Sequence, residues 1–337
     1  MNSILSCFFP TTIVAIDDNV NFLKSLRDIL GSKHITVKGF SDPIEGLNFI
    51  NESSIDNPLA FSDLTVNGDD ETSDWKSILF NINKIHSQIY DINRFSKVSA
   101  VIVDYSMPGI DGVELCSKIL DPNIQRLLLT GVADEKVAID AFNNGHINRF
   151  TRKSSPDIVE ELTQSINRAV QQYFSVYTSD LMKHLPMKDM NNLRDPILAN
   201  FFYGTCLNRN YIEYYMLDTF GSYLFLREDG QANLLSVMPE SEVDRIIEIG
   251  IDSEEISDEV LSGLQSHEYM LVFHSRTGAL PPITEWDKYL RPARRLEGYQ
   301  TYYFAFAESE MLDLDFGKIK SFNKFRRMQQ NSEHYRI

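Results

Sequence analysis

The chain is poor in cysteine, in histidine clusters and in long apolar runs. Three cysteines, Cys7, Cys116 and Cys206, lie far apart in 337 residues. Their odd number and wide spacing exclude a disulfide framework and a thiolate zinc site, and predict reduced thiols in a cytosolic compartment. Seven histidines are scattered without metal-binding spacing. No apolar stretch reaches the roughly 18 residues that a membrane span needs, so no membrane association is expected. The opening MNSILSCFFP is short and lacks a basic segment, which argues against a secretory signal. Basic residues are also in deficit, 32 Lys and Arg against 48 Asp and Glu, for a net charge of −16. The deficit is even along the chain: residues 1–185 and residues 186–337 each hold 16 basic and 24 acidic residues. Non-specific nucleic-acid binding rests on a basic surface. Neither half has an overall excess, which leaves room only for a local basic face.

What is present is a rhythm. The length exceeds one comfortable core and predicts two domains. From residue 12 onward, apolar strand-like runs alternate with amphipathic helical patterns. TIVAIDDN (12–19), HITVKGF (34–40), SAVIVDYS (99–106), RLLLTG (126–131) and HINRFTRK (146–153) read as strands. VNFLKSLRDILG, SDPIEGLNFIN, GVELCSKIL, DEKVAIDAFNNG and SPDIVEELTQSINRAVQQYFS read as the intervening helices. Unbroken apolar strands alternating with helices predict a doubly wound, five-stranded parallel sheet covered on both faces. In such sheets polar groups collect beyond the carboxyl ends of the strands. Asp17, Asp18, Asp104, Thr130 and Lys153 all stand at or just past those ends.

Three carboxylates in one pocket repel, and a lone cluster would take up a proton. A divalent cation removes the problem, and an all-oxygen ligand set suits magnesium or manganese. With a hydroxyl from Thr130 and a mobile positive charge from Lys153, the parts match phosphoryl transfer to a carboxylate.

These residues resemble the receiver domains of two-component response regulators. The resemblance covers residues 12 to about 175 and rests on the acid pair at 17–18, DYSMPGIDG at 104–112, LLLTG at 127–131 and the lysine of FTRK at 150–153. It implies a flavodoxin-like fold with bound Mg2+ and a phosphoryl group received from a sensor histidine kinase on Asp104. Asp18 then resembles a direct metal ligand, Asp17 one that acts largely through water, and the carbonyl of Ser106 completes the set. Thr130 resembles the switch hydroxyl. Phe150 resembles the aromatic partner that turns inward when Thr130 shifts, or it is a plain core phenylalanine. Asp111 could pass for a fourth acid in the site but reads better as a cap of the following helix. Pro108 and Gly112 shape the loop after Asp104. The resemblance also implies a homodimer formed on phosphorylation through the face of residues 134–153 and the helix that follows, and a bacterial cytoplasmic setting.

Two departures stand out. Family members usually carry a proline after the lysine, joined by a cis bond, where this chain has Ser154. A cis bond before a non-proline residue is costly, so the sequence leaves open whether Lys153–Ser154 keeps the family's cis bond. About fifty residues also separate the second helix from the third strand. FSDLTVNGDDETSD (61–74) predicts a mobile acidic loop. Residues 75–95 predict an extra helix whose seam, Trp75, Ile78, Ile82, Ile85, Ile89 and Ile92, packs on its own domain or on a partner.

The expected organisation is a receiver domain over 10–175 with an insertion at 51–97, a helical linker over 176–190, and an output domain over 191–337. The output half reads as α+β with a mainly antiparallel sheet and helices on one face. Asp229-Gly230 marks a hairpin turn. There is no glycine-rich phosphate loop, no GGDEF- or EAL-like run, and no convincing helix-turn-helix, since the candidate second helix is acidic. No output enzyme is expected, only the receiver's own aspartyl phosphorylation and dephosphorylation. Arg291, Arg294, Arg295, Lys320, Arg326 and Arg327, with nearby tyrosines, are candidates for a nucleotide or nucleic-acid site, or form a solvated basic edge. An enzymatic output and a pure protein-interaction adaptor are the competing readings. As a whole the chain resembles the Lqs-type quorum-sensing response regulators, which implies a role in that kind of signalling.

Overall fold

Apolar strands need cover on both faces, and the first sheet has it. The computed structural model describes residues 3–31, 34–53, 88–131, 134–183, 187–253, 255–273, 280–308 and 314–330. A two-residue strand, β1 (Cys7–Phe8), opens the chain and belongs to a second sheet described below. The first sheet holds β2 (Thr12–Ile16), β3 (Thr36–Phe40), β4 (Val98–Asp104), β5 (Gln125–Thr130) and β6 (Arg149–Arg152) in the order β3-β2-β4-β5-β6. Every pairing is parallel. All residues of β2 and β4 are buried, as their continuous apolar sequences require. Helices Val20–Leu30, Pro43–Ser53, Gly112–Ser117, Glu135–Asn143 and Ile158–Met182 connect or follow the strands. Strand order reverses between β2 and β4, so their carboxyl ends form the crevice where such sheets place ligands.

The second sheet is antiparallel. Its other strands are β7 (Glu213–Met216), β8 (Tyr223–Leu226), β9 (Ala232–Pro239), β12 (Arg294–Glu297) and β13 (Thr301–Glu308), in the order β1-β7-β8-β9-β13-β12. Between them in the chain, β10 (Tyr269–Leu271) and β11 (Leu290–Pro292) pair as a separate ribbon. The hairpin at Asp229-Gly230 joins β8 to β9, and Gly230 has φ +90°, a conformation open to glycine. The expectation of helices on one face is corrected. Phe304 of β13 meets Phe201 of helix Pro196–Arg209. Its neighbour Tyr303 lies against His267 and Glu240, the latter opening helix Glu240–Ile251. Adjacent strand residues point to opposite faces, so both faces are covered.

The chain divides into two compact units whose borders differ from a simple head-to-tail split. Among the described residues, one unit holds 9–53, 92–177 and 322–330, and the other 3–8, 88–91 and 178–321. The N-terminal segment joins the second unit because β1 pairs with β7, the Ser6 N–H donates to Thr178 Oγ1 (2.9 Å), and the Tyr223 hydroxyl donates to the Leu5 carbonyl (3.1 Å). The last helix, Phe322–Gln330, joins the first because its aromatic face completes that core. Phe322 and Phe325 are buried against Phe95, with ring centroids at 5.2 and 5.4 Å. Phe95 lies in the short turn just before β4. Of the insertion seam, Trp75, Ile78, Ile82 and Ile85 lie outside the described residues, while Ile89 is buried.

Removing one of these rings leaves a cavity beside Phe95. Phe322→Ala is expected to cost about 3 kcal/mol of unfolding free energy, read as a lower urea midpoint in the full chain. An unchanged midpoint would mean that the terminal helix contributes nothing to the receiver core.

Candidate functional site

The site forms where β2, β4, β5 and β6 end. Asp17 follows β2 and is 1% exposed. Its Oδ1 accepts from the Asn19 N–H at 2.9 Å, and Asn19 in turn caps helix Val20–Leu30 by accepting from the Asn21 and Phe22 N–H groups. Asp18 is exposed beside it. Asp104 is the last residue of β4 and is buried. The loop after it is pinned at both ends: the Tyr105 N–H donates to the Leu129 carbonyl (2.9 Å) and the Gly112 N–H to the Tyr105 carbonyl (3.0 Å). Only glycine fits at 112, because a Cβ there would stand 2.4 Å from the Asp104 carbonyl oxygen. Asp111 is not a fourth pocket acid. Its Oδ1 accepts from the Glu114 N–H at 2.8 Å and caps helix Gly112–Ser117.

Lys153 reaches this crevice from the end of β6. Its backbone N–H donates to the Thr130 carbonyl (3.0 Å), extending the β5–β6 pairing by one residue. Its Nζ lies 2.7 Å from Asp17 Oδ2 and 2.9 Å from Asp104 Oδ1. The open question of the bond after Lys153 is answered: Lys153–Ser154 is trans, and no described peptide bond is cis. The Ser154 amide lacks the tertiary substitution that makes cis accessible at proline. The lysine is placed by strand pairing and by the two carboxylates.

The electrostatics follow from this geometry. Burial pushes the Asp104 carboxyl above its ordinary range. The Lys153 ammonium and the Ser106 N–H pull it down, and the Asp17 charge pushes it up again, so the balance is upward. Burial works against the Lys153 ammonium, but hydrogen bonds and charge from Asp17 and Asp104 outweigh it and hold its pKa above normal. One oxygen from each of Asp17, Asp18 and Asp104 lies within 4.8 Å of the others. An all-carboxylate set of this kind fits a hard divalent cation such as Mg2+.

Thr130, the last residue of β5, is fully buried, and its Oγ1 has no hydrogen-bond partner. A hydroxyl in that condition is costly unless something else satisfies it. Phe150 is half-buried against the sheet core, in register with Leu128. Ser106 sits in the loop directly after Asp104.

The basic candidates of the second half are not gathered in the same way. The Arg291 guanidinium donates to the Lys288 and Leu290 carbonyls, at 3.1 and 2.7 Å. Arg295 pairs with Glu297 at 2.7 Å on strand β12, where Arg294 is exposed. The Lys320 N–H donates to the Ile89 carbonyl. Arg326 and Arg327 belong to the terminal helix of the first unit. One residue at the crevice escaped sequence reasoning: the Phe22 ring centroid lies 5.1 Å from Lys153 Nζ. Its position four residues past the acid pair carries no local signal of that contact.

No protein-family model matches the chain. Solved structures and one curated protein do. The response regulator LqsR of Legionella pneumophila is 32% identical, with 97% of each chain covered and a TM-score of 0.79. The C4-dicarboxylate transport transcriptional regulatory protein DctD of Rhizobium meliloti (strain 1021) is 38% identical over 71 residues, which span 20% of this chain and 15% of DctD. A response regulator receiver domain from Clostridium thermocellum covers 48% of this chain and 95% of its own length, at 22% identity and a TM-score of 0.33, too slight a likeness to add weight. A relative matched along nearly its whole length, with a five-stranded parallel sheet that brings the acids and the lysine together, places the chain plainly in the two-component response regulators, with an N-terminal receiver domain.

Proposed function

We propose that Asp104 is the phosphoacceptor of this receiver and that its phosphorylation by a sensor histidine kinase switches the protein's association and output. The observation that carries this reading is the Lys153 ammonium held 2.9 Å from Asp104 and 2.7 Å from Asp17, beside a buried Thr130 hydroxyl without a partner. An Asp104 carboxylate oxygen attacks the phosphorus of a kinase phosphohistidine. The P–N bond breaks, the electron pair returns to the imidazole, and an acyl phosphate forms. Lys153 offsets charge on the phosphoryl oxygens, and the Thr130 hydroxyl donates to one of them. Asp17, Asp18, Asp104 and the Ser106 carbonyl would hold Mg2+, which when bound supplies further positive charge at the phosphoryl group. Later attack by water returns the carboxylate. When Thr130 turns toward the phosphoryl group it vacates space beside β6, into which Phe150 swings.

The exposed side chains Val137, Ile139 and Phe142 on helix Glu135–Asn143 support this helix as part of the phosphorylation-dependent dimer face. For the output unit, the reading is binding of a nucleotide or nucleic acid at exposed Arg294 and Arg295 beside Tyr299, in a quorum-sensing circuit as the sequence resemblance implies.

Beryllofluoride with Mg2+ is expected to raise the dimer fraction in sizing experiments. Asp104→Asn, or chelation of the metal with EDTA, should abolish the response. Equal behaviour of wild type and Asp104→Asn would refute the switch. A second outcome follows from the upward pressure on the Asp104 pKa. With metal removed, Asp104→Asn should melt about 2 °C or more above wild type, because a neutral side chain escapes the burial and like-charge cost. A lower melting temperature would mean that the Lys153 pair dominates instead.

A further inference from the structure

Lys153 has a third neighbour that is not an acid. Phe22 lies in the first turns of helix Val20–Leu30, and its ring centroid is 5.1 Å from Lys153 Nζ. That is within reach of an attraction between an ammonium and an aromatic face. The ring has a fixed base: the Phe22 N–H is held by the Asn19 cap at 3.2 Å. Its side chain also lines an apolar groove with Leu26, Ile158 and Leu162, between helices Val20–Leu30 and Ile158–Met182. Lysine, by contrast, has a flexible four-carbon stem and loses much rotamer freedom when held in one place. The residue after it, Ser154, is exposed.

The two carboxylates attract the ammonium but do not restrict the side from which it comes. We propose that Phe22 is a positioning residue of the phosphotransfer centre, its ring restraining Lys153 against Asp17 and Asp104. The inference rests on the proposed role of Asp104. When the acceptor turns from a carboxylate into an acyl phosphate, the ammonium must follow the charge to the phosphoryl oxygens. A ring at its flank limits the rotamers it can take and keeps it at the crevice. Phe22 touches no reacting atom and acts through Lys153 alone.

The test is a cycle of four full-length proteins: wild type, Phe22→Leu, Lys153→Met and the double variant. Phe22→Trp serves as the aromatic rescue. Phosphorylation of Asp104 is timed with a small phosphodonor, phosphoramidate, and Mg2+. Phe22→Leu should slow the wild-type rate roughly 2- to 5-fold. Phe22→Trp should keep most of the rate, and Phe22→Leu should change nothing further in the Lys153→Met background. Equal slowing in both backgrounds, or none in the wild type, would overturn the proposal, since a packing role does not depend on the lysine. The same four proteins are unfolded in urea with metal present. The midpoint loss from Phe22→Leu should be larger in the wild-type background than in the Lys153→Met background. Strictly additive losses would overturn the restraint even if no protein took up phosphate. A wild type that refuses phosphate while the urea cycle shows coupling would instead remove the phosphoacceptor role and leave the Phe22–Lys153 restraint standing.

Discussion

Carboxylates crowded at the ends of parallel strands are the constraint on which the receiver depends. Asp17 and Asp104 are buried on neighbouring strands and would repel each other without the Lys153 ammonium between them. The sheet does not relieve this cost; it imposes it, because β2 and β4 must lie side by side to bury their apolar residues. The pocket therefore favours added positive charge, as the Lys153 ammonium held between the two acids shows.

The same sheet carries the consequence outward. Thr130 ends β5, and Lys153 is bonded back to it through the backbone. A hydroxyl with no partner at the strand end has something to gain by moving. Phe150, half-buried on the next strand, is in register with Leu128, two residues before Thr130. Helix Glu135–Asn143 begins just after the Thr130 loop, and Glu135 at its start is ion-paired to Arg152 of β6. Chemistry at Asp104 and the exposed apolar residues of that helix are thus separated by one loop and one strand.

The receiver was legible in the sequence because its signals are local. The apolar run before Asp104, the paired acids after β2, the threonine closing β5 and the lysine closing β6 each mark a strand end. Parallel packing then leaves few ways to bring those ends together. The antiparallel character of the second sheet was also readable, since Asp229-Gly230 marks the β8–β9 hairpin. What stayed hidden depends on contacts distant in sequence. Nothing local tells that Phe322 and Phe325 finish the core around Phe95, more than two hundred residues away, or that Cys7 and Phe8 pair with Tyr215 and Tyr214. Helices were expected on one face of the second sheet because alternation along β13 does not say which element covers each side. Nor does the sequence tell that the Arg291 guanidinium donates to backbone carbonyls nearby.

The most direct measurement is chemical. The protein is phosphorylated by a histidine kinase or phosphoramidate in the presence of Mg2+, treated with borohydride, and mapped by mass spectrometry. Reductive cleavage converts an aspartyl phosphate to homoserine. The account predicts homoserine at position 104 alone, and none when Mg2+ is removed. Modification at another residue, or an unmodified Asp104 under conditions that phosphorylate a control receiver, would contradict it.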